Sequence, residues 1–306
     1  MASPRELLWG YVFLAGLRDY RKENIMHSNA KGQTGKPPKR KTVQSVNRAL
    51  ELLEILSSES LGFSLSELSE RAGLYPSTTH RLLATLVAKG YVRQVSKTRE
   101  YHLGFKALEL ADAALSQIHI LQDLTIDLRS ISFEIHELVN LAVLDWPYVT
   151  YIAQFNGRPE DSVQIFTKLG ARVPLYCTAV GKAMLAQLPS EEIEKYFSEA
   201  KLQKYTQHTI TKQKDLRSEL TMIQQSGYAI DNEERAIGVR CVACAIIGIN
   251  GTPVATVGVS GIASRLPPDR LSTIAQRLIA FADLASRKLG FHDMGLNNPG
   301  EVHTNN

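Results

Sequence analysis

Residues 64–89 leave a folding chain few options. Ser64 and Glu67 stand three apart, the capping-box pattern that starts a helix. Leu65, Leu68 and Ala72 recur at helical spacing, and Gly73 supplies the permissive backbone that a helix end wants. Pro76 suits the first turn of a second helix, where its missing N–H costs little. Leu82, Leu83, Leu86 and Val87 form that helix's buried face, with Ser77, Thr78, Arg81 and Thr85 opposite. Hydroxyls at a helix start suit phosphate oxygens, and Arg81 suits a phosphate or a guanine edge. The first residues of a recognition helix are the ones that reach bases. An ordinary helical hairpin with a solvated outer face has the same pattern, so the flanks must separate the two readings.

The flanks favour DNA. Upstream, Ser45 is expected to cap a third helix carrying Val46, Ala49, Leu50, Leu53 and Leu56 on one side. Downstream, residues 91–95 and 100–104 alternate apolar and polar around a polar four-residue turn, which predicts a hairpin. A hairpin after a three-helix core is a wing, and Lys97 and Arg99 at its tip would lie on a phosphate backbone. The expected DNA contacts are Ser45, Arg48, Ser77, Thr78, Thr79, Arg81, Lys97 and Arg99.

Charge agrees with this placement. The net +4 is uneven: residues 1–40 carry eight Lys/Arg against three Asp/Glu, residues 41–104 eight against six, and residues 105–306 nineteen against twenty-two. The basic end is the end with the helix-turn-helix, as attraction to phosphate requires. The excess is small, so affinity should rest on a dimer rather than on bulk charge.

At 306 residues the chain can hold two modest domains, each with its own core. Its one long apolar run, residues 7–17, is too short to cross a bilayer and lacks the flanks of a signal peptide. Translation is expected to start at Met26, which makes residues 1–25 a start-site artefact; intact-mass measurement decides it. Residues 1–40 are read as a disordered basic extension, and residues 27–41 contain no acid. Residues 41–104 form the winged helix-turn-helix. Residues 105–119 are a linker helix with Phe105, Leu108, Ala111 and Leu115 on one stripe, which offers a route to a dimer. Residues 293–306 are a flexible tail.

Residues 120–292 change texture. A helix is expected over 121–135, then short β runs over 139–144, 149–155 and 163–167. Helices follow over 179–188, after Pro189 and over 213–225. Asn250-Gly251 between two apolar runs signals a hairpin, and Pro267-Pro268 open a last helix that Gly290 closes. Mixed helices and hairpins predict an α/β sheet with helices packed on it, of the kind that holds a small ligand, which makes the whole chain α+β. Thr178 is a plausible N-cap, and Ala179 and Gly181 are small, so this helix start is expected to receive a carboxylate. Asp231 and Ser260 would take ligand hydroxyls. An internally capped helix and a solvated acidic loop are the plainer readings of the same residues.

No catalytic arrangement stands out: there is no P-loop, dinucleotide fingerprint, His-Glu-x-x-His or Gly-x-Ser-x-Gly. Cys241 and Cys244 have zinc-like spacing, but no second pair exists, and strand positions three apart point to opposite faces.

Together these residues resemble the IclR family of bacterial transcriptional regulators over residues 43–290. The marks are residues 45–50, 65–68, 77–83 and 90–92 in the first part, and 169–176, 178–182, 231–234, 238–243 and 259–261 in the second. The resemblance implies a winged helix-turn-helix, a linker helix and a GAF-like effector domain, in homodimers or homotetramers on double-stranded operator DNA. It carries the family's pocket over to Ile165, Ala179, Val180, Gly181, Asp231, Val239, Cys241 and Ser260. Two departures stand out: Ala245 replaces a proline that many members carry, and Gly258 replaces a pocket serine of some members.

The resulting expectation is a cytoplasmic, ligand-responsive repressor of catabolic genes, with no cofactor, metal or catalytic residue and no membrane association. Its effector is a small carboxylate, with sugar acids the nearest subclass. Two other readings stay open here: a redox or metal sensor using Cys241 and Cys244, and a GAF-like thiol enzyme.

Overall fold

The computed structural model describes residues 43–58, 61–116, 119–158 and 168–291. The expected basic extension, the Met26 start, the strand at 163–167, pocket residue Ile165 and the C-terminal tail lie outside them. The chain forms two compact units that part between Lys106 and Ala107.

In the first unit, helices α1 (Gln44–Ser58), α2 (Leu65–Arg71) and α3 (Pro76–Ala88) precede a hairpin of β1 (Val92–Gln94) and β2 (Tyr101–Leu103). The capping box at Ser64 and Glu67 is present in both directions. Gly73 has a positive φ of 62°, which lets the chain turn sharply out of α2. Leu52 and Leu56 of α1 meet Phe63, Leu68, Leu83, Leu86, Val92 and Tyr101 in one core. The apolar stripe of α1 is therefore rotated from the expected one, since Val46 and Leu50 are 53 % exposed. Ser45 does not cap α1 either; the helix starts one residue earlier, with the Val46 and Asn47 amides on the Val43 carbonyl.

Helix α4 (Lys106–Ser116) runs from one unit into the other and buries none of its residues. In the second unit, α5 (His119–Ile135) leads into β3 (Leu138–Asp145), β4 (Tyr148–Asn156) and β5 (Arg172–Pro174). Next come α6 (Ala179–Ala186), α7 (Ser190–Glu199), α8 (Gln213–Ser226), β6 (Ala229–Asn232), β7 (Val239–Ile247), β8 (Pro253–Ile262) and α9 (Pro268–Lys288). The six strands form one antiparallel sheet in the order β5-β4-β3-β8-β7-β6. The β7–β8 hairpin does turn at Asn250-Gly251, but through a five-residue loop closed by the Gly248 amide on the Thr252 carbonyl.

Strand alternation gives this sheet two cores. On one face, Leu124, Leu128 and Ile131 of α5 and Ile274, Leu278 and Phe281 of α9 pack on Val257 and Val259. On the other, all of α6 is buried between the sheet and α7 and α8. Among the described residues no helix is long and apolar enough to cross a membrane.

Candidate functional site

On the outer face of α3, Ser77 and Arg81 are exposed and Thr78 is half-buried. Thr79 is not on that face: it is fully buried, and its hydroxyl donates to the Tyr75 carbonyl at 3.3 Å. It packs the helical core and drops out of the contact set. In α1, Ser45 is exposed in the first turn and Arg48 is half-buried. Lys97 and Arg99 are both exposed at the wing tip. That tip is tied by the Val95 amide on the Glu100 carbonyl at 2.8 Å and by Gln94 Nε2 on the Arg99 carbonyl at 2.9 Å. Sequence reasoning passed over Tyr75, which is 82 % exposed directly before α3, and His80, also exposed. An aromatic residue before a helix-opening proline was the available signal.

The second unit contains a narrow pocket between the start of α6 and strands β4, β6, β7 and β8. Thr178 caps α6: its Oγ1 accepts from the Gly181 amide at 3.1 Å and donates to the Pro174 carbonyl at 2.8 Å. Gly181 therefore does not offer its amide to a ligand. Ala179 and Val180 line the pocket, and theirs are the helix-start amides beside it.

Asp231, Val239, Cys241 and Ser260 also line the pocket, so six of the seven expected residues that lie among the described ones converge there. Register explains the convergence: Cys241 pairs with Asp231 on one side and with Ser260 on the other. Asp231 Oδ1 accepts from the Glu234 amide at 2.7 Å and the Arg235 amide at 3.4 Å. Burial, with the charge of Glu234, pushes the Asp231 carboxyl up to about 7. Ser260 accepts from Asn140 Nδ2 at 3.1 Å, while Asn140 Oδ1 accepts from Gln154 Nε2 at 3.1 Å. This chain across three strands orients the Asn140 amide and leaves the Ser260 hydroxyl with its own proton to donate.

Behind the pocket, Lys182 is 1 % exposed and its ammonium meets Glu219 at 2.7 Å and Glu234 at 2.6 Å. Burial alone would favour the neutral amine, but the two carboxylates raise its pKa and keep it charged. Glu234 thus joins a buried ion cluster to the amide that holds Asp231.

Gly258 has a packing reason. A Cβ there would stand 2.8 Å from Val180 Cγ1 and 3.3 Å from Ala243 Cβ. Val180 occupies the space that a serine side chain would need. The room left is about 30 Å3, enough for about two waters.

The cysteines do not form a site. Cys241 faces the pocket, and Cys244 packs in the core on the opposite face of the sheet. Burial pushes the Cys177 and Cys244 thiols up to about 12 and raises Cys241 as well. Opposed faces keep Cys241 and Cys244 from sharing one metal ion, and burial favours the protonated thiols over the reactive thiolates.

Comparison with known proteins agrees with this organisation. The family model described as the bacterial transcriptional regulator IclR C-terminal domain matches residues 112–287, and that of the IclR helix-turn-helix domain matches residues 45–96. The transcriptional repressor IclR of Escherichia coli is 33 % identical over 240 residues, covering 78 % of this chain and 88 % of its own. The regulator KdgR of Escherichia coli is 30 % identical over 252 residues, covering 82 % of this chain and 95 % of its own. The crystal structure of the Thermotoga maritima IclR superposes with a TM-score of 0.70 at 33 % identity, covering 81 % of this chain and 99 % of that one.

Proposed function

This chain belongs to the IclR family of bacterial transcriptional regulators, whose members are DNA-binding regulators and not enzymes, and from that premise we propose that it is a repressor switched by a small carboxylate. In this reading two copies, or a pair of dimers, hold a palindromic operator in the cytoplasm. Ser77, Thr78 and Arg81 enter the major groove, and Ser45, Arg48, Lys97 and Arg99 contact the backbone. The target genes encode catabolism of the effector or its precursor.

The observation that carries the effector half is the pocket itself. Helix-start amides, the Ser260 hydroxyl, the Asp231 carboxyl and the side chains of Tyr151 and Arg235 border one small space whose remaining walls are mainly apolar, Val173, Val180, Val239 and Val242 among them. Donors outnumber acceptors there, so the pocket suits an acid rich in acceptor oxygens. A polyhydroxylated sugar acid needs more acceptors and more room than Val180 leaves. The pocket must open to admit even a short acid, and the ligand shifts the balance between two arrangements only by its difference in affinity for them.

The test is a thermal-shift screen against short oxo acids, dicarboxylates, sugar acids and aromatic acids, followed by DNA binding on the gene's own upstream region. The expected result is an acid that raises the melting temperature and changes operator affinity. If no acid stabilises the protein, the carboxylate reading is wrong.

A further inference from the structure

Two side chains of the pocket help to pack this unit, yet leave polar groups without a hydrogen bond or ion pair among the described residues. Tyr151, on β4, is 4 % exposed and lines the pocket, and its hydroxyl has no hydrogen-bond partner among the described residues. Arg235, in the turn after β6, also lines the pocket. Its guanidinium lies 4.0 Å over the Tyr205 ring, and among the described residues it meets no carboxylate. Other basic groups of this unit do: Lys182 meets Glu219 and Glu234, Arg240 meets Glu233, and Arg265 and Arg270 meet Glu137. The neighbouring Asp231 takes only the backbone amide of Arg235, not its side chain.

The guanidinium is nevertheless held in place. Tyr205 stacks at 6.4 Å on Tyr176, whose hydroxyl donates to the Gln203 carbonyl at 2.6 Å. The Tyr205 amide donates to Thr209 Oγ1 at 3.1 Å, and that hydroxyl donates to the Glu234 carbonyl at 2.6 Å. Thr206 Oγ1 reaches the Glu233 carbonyl at 2.7 Å. The ring under Arg235 is thus fastened to the residues immediately before Arg235. Arg235 and Tyr151 line the same narrow pocket, so fork and phenol border one space. A planar fork with unused N–H groups and a desolvated hydroxyl beside it match a carboxylate, which accepts several hydrogen bonds at once.

We propose that Arg235 and Tyr151 are the specificity pair of the pocket, gripping the effector's carboxylate, and that Tyr205 is the positioning residue that aims Arg235. The proposal rests on the reading that the pocket takes an acid. The other acceptor oxygens of the ligand then fall to Ser260 and the α6 amides.

The experiment uses the full chain with pyruvate, 2-oxoglutarate, gluconate and benzoate as probes, followed by thermal shift and calorimetry. If none of the acids stabilises the wild type, the acid reading itself fails, and with it this proposal. With the acid that stabilises it most, R235Q is expected to weaken binding by about 10–100-fold and Y151F by about 5–10-fold, as loss of charged and neutral hydrogen bonds predicts. Y205L is expected to weaken binding while Y205F, which keeps the ring face, binds like wild type. Wild-type affinity in folded R235Q overturns the proposal and leaves the acid reading standing. If R235Q does not fold, unchanged affinity in Y151F overturns it instead. Equal losses in Y205L and Y205F would remove the positioning role.

Discussion

Asp231 is a burden to the free protein at neutral pH. Its carboxyl titrates near 7 in the folded chain, above its ordinary 3.8. Between those values the folded state binds more protons than the unfolded state, so this group's contribution to stability falls as pH rises from about 4 through about 7. D231N keeps an oxygen for the Glu234 and Arg235 amides and removes the titration. Its melting temperature should exceed wild type by more at pH 8 than at pH 5; a pH-independent gain would sink this account. Lys182 shows the opposite dependence on charge. K182M leaves Glu219 and Glu234 without their cation and should cost about 3–5 kcal/mol in denaturant unfolding. Gly258 is set by volume: G258S should cost about 1–3 kcal/mol through overpacking against Val180. V180A in the same chain should return most of that loss, and failure to do so would clear Val180.

At the scale of elements, the proposed reading divides the work on DNA between α3 and the wing. R81A should lose about 1–3 kcal/mol on the cognate operator and little on unrelated DNA, if Arg81 reads a base. The double change K97Q/R99Q should weaken binding on every sequence and lower the salt slope by about two, because tip cations neutralise phosphates. Titrations at several salt concentrations separate the two patterns. Elements with local signals were readable before the fold was known. The capping box of α2, the Pro76 start of α3 and the wing all depend on residues close in sequence. The α1 start was misread because its Ser45 signal lay one residue inside the helix, and its stripe because Leu52 faces α2 and α3. Asp231, Cys241 and Ser260 were reachable through the family resemblance. Tyr151 and Arg235 were not, because only the strand pairing and the anchored Tyr205 ring bring them to one space. Thr79 was misplaced for a related reason: a hydroxyl looks polar in sequence, but a backbone carbonyl one turn away satisfies it.

At the scale of the whole molecule, among the described residues, α1 and the helix at the division between the units both expose apolar side chains. Val46 and Leu50 of α1, and Phe105, Leu108 and Leu110 around α4, are each more than half exposed. Helix α4 has no fully buried residue, and its exposed Leu108 and Leu110 offer a surface on which the proposed dimer would form. L108D should shift the protein toward monomer in sedimentation and weaken operator binding together; a dimer that survives it would place the seam elsewhere. The second unit has a different economy. Along β8, Val257 and Val259 look into the core shared with α5 and α9, while Gly258 and Ser260 look into the pocket. In the proposed reading, the same strand writes stability on its odd positions and ligand choice on its even ones. Such a chain can change what it recognises one residue at a time without rewriting the text that keeps it folded.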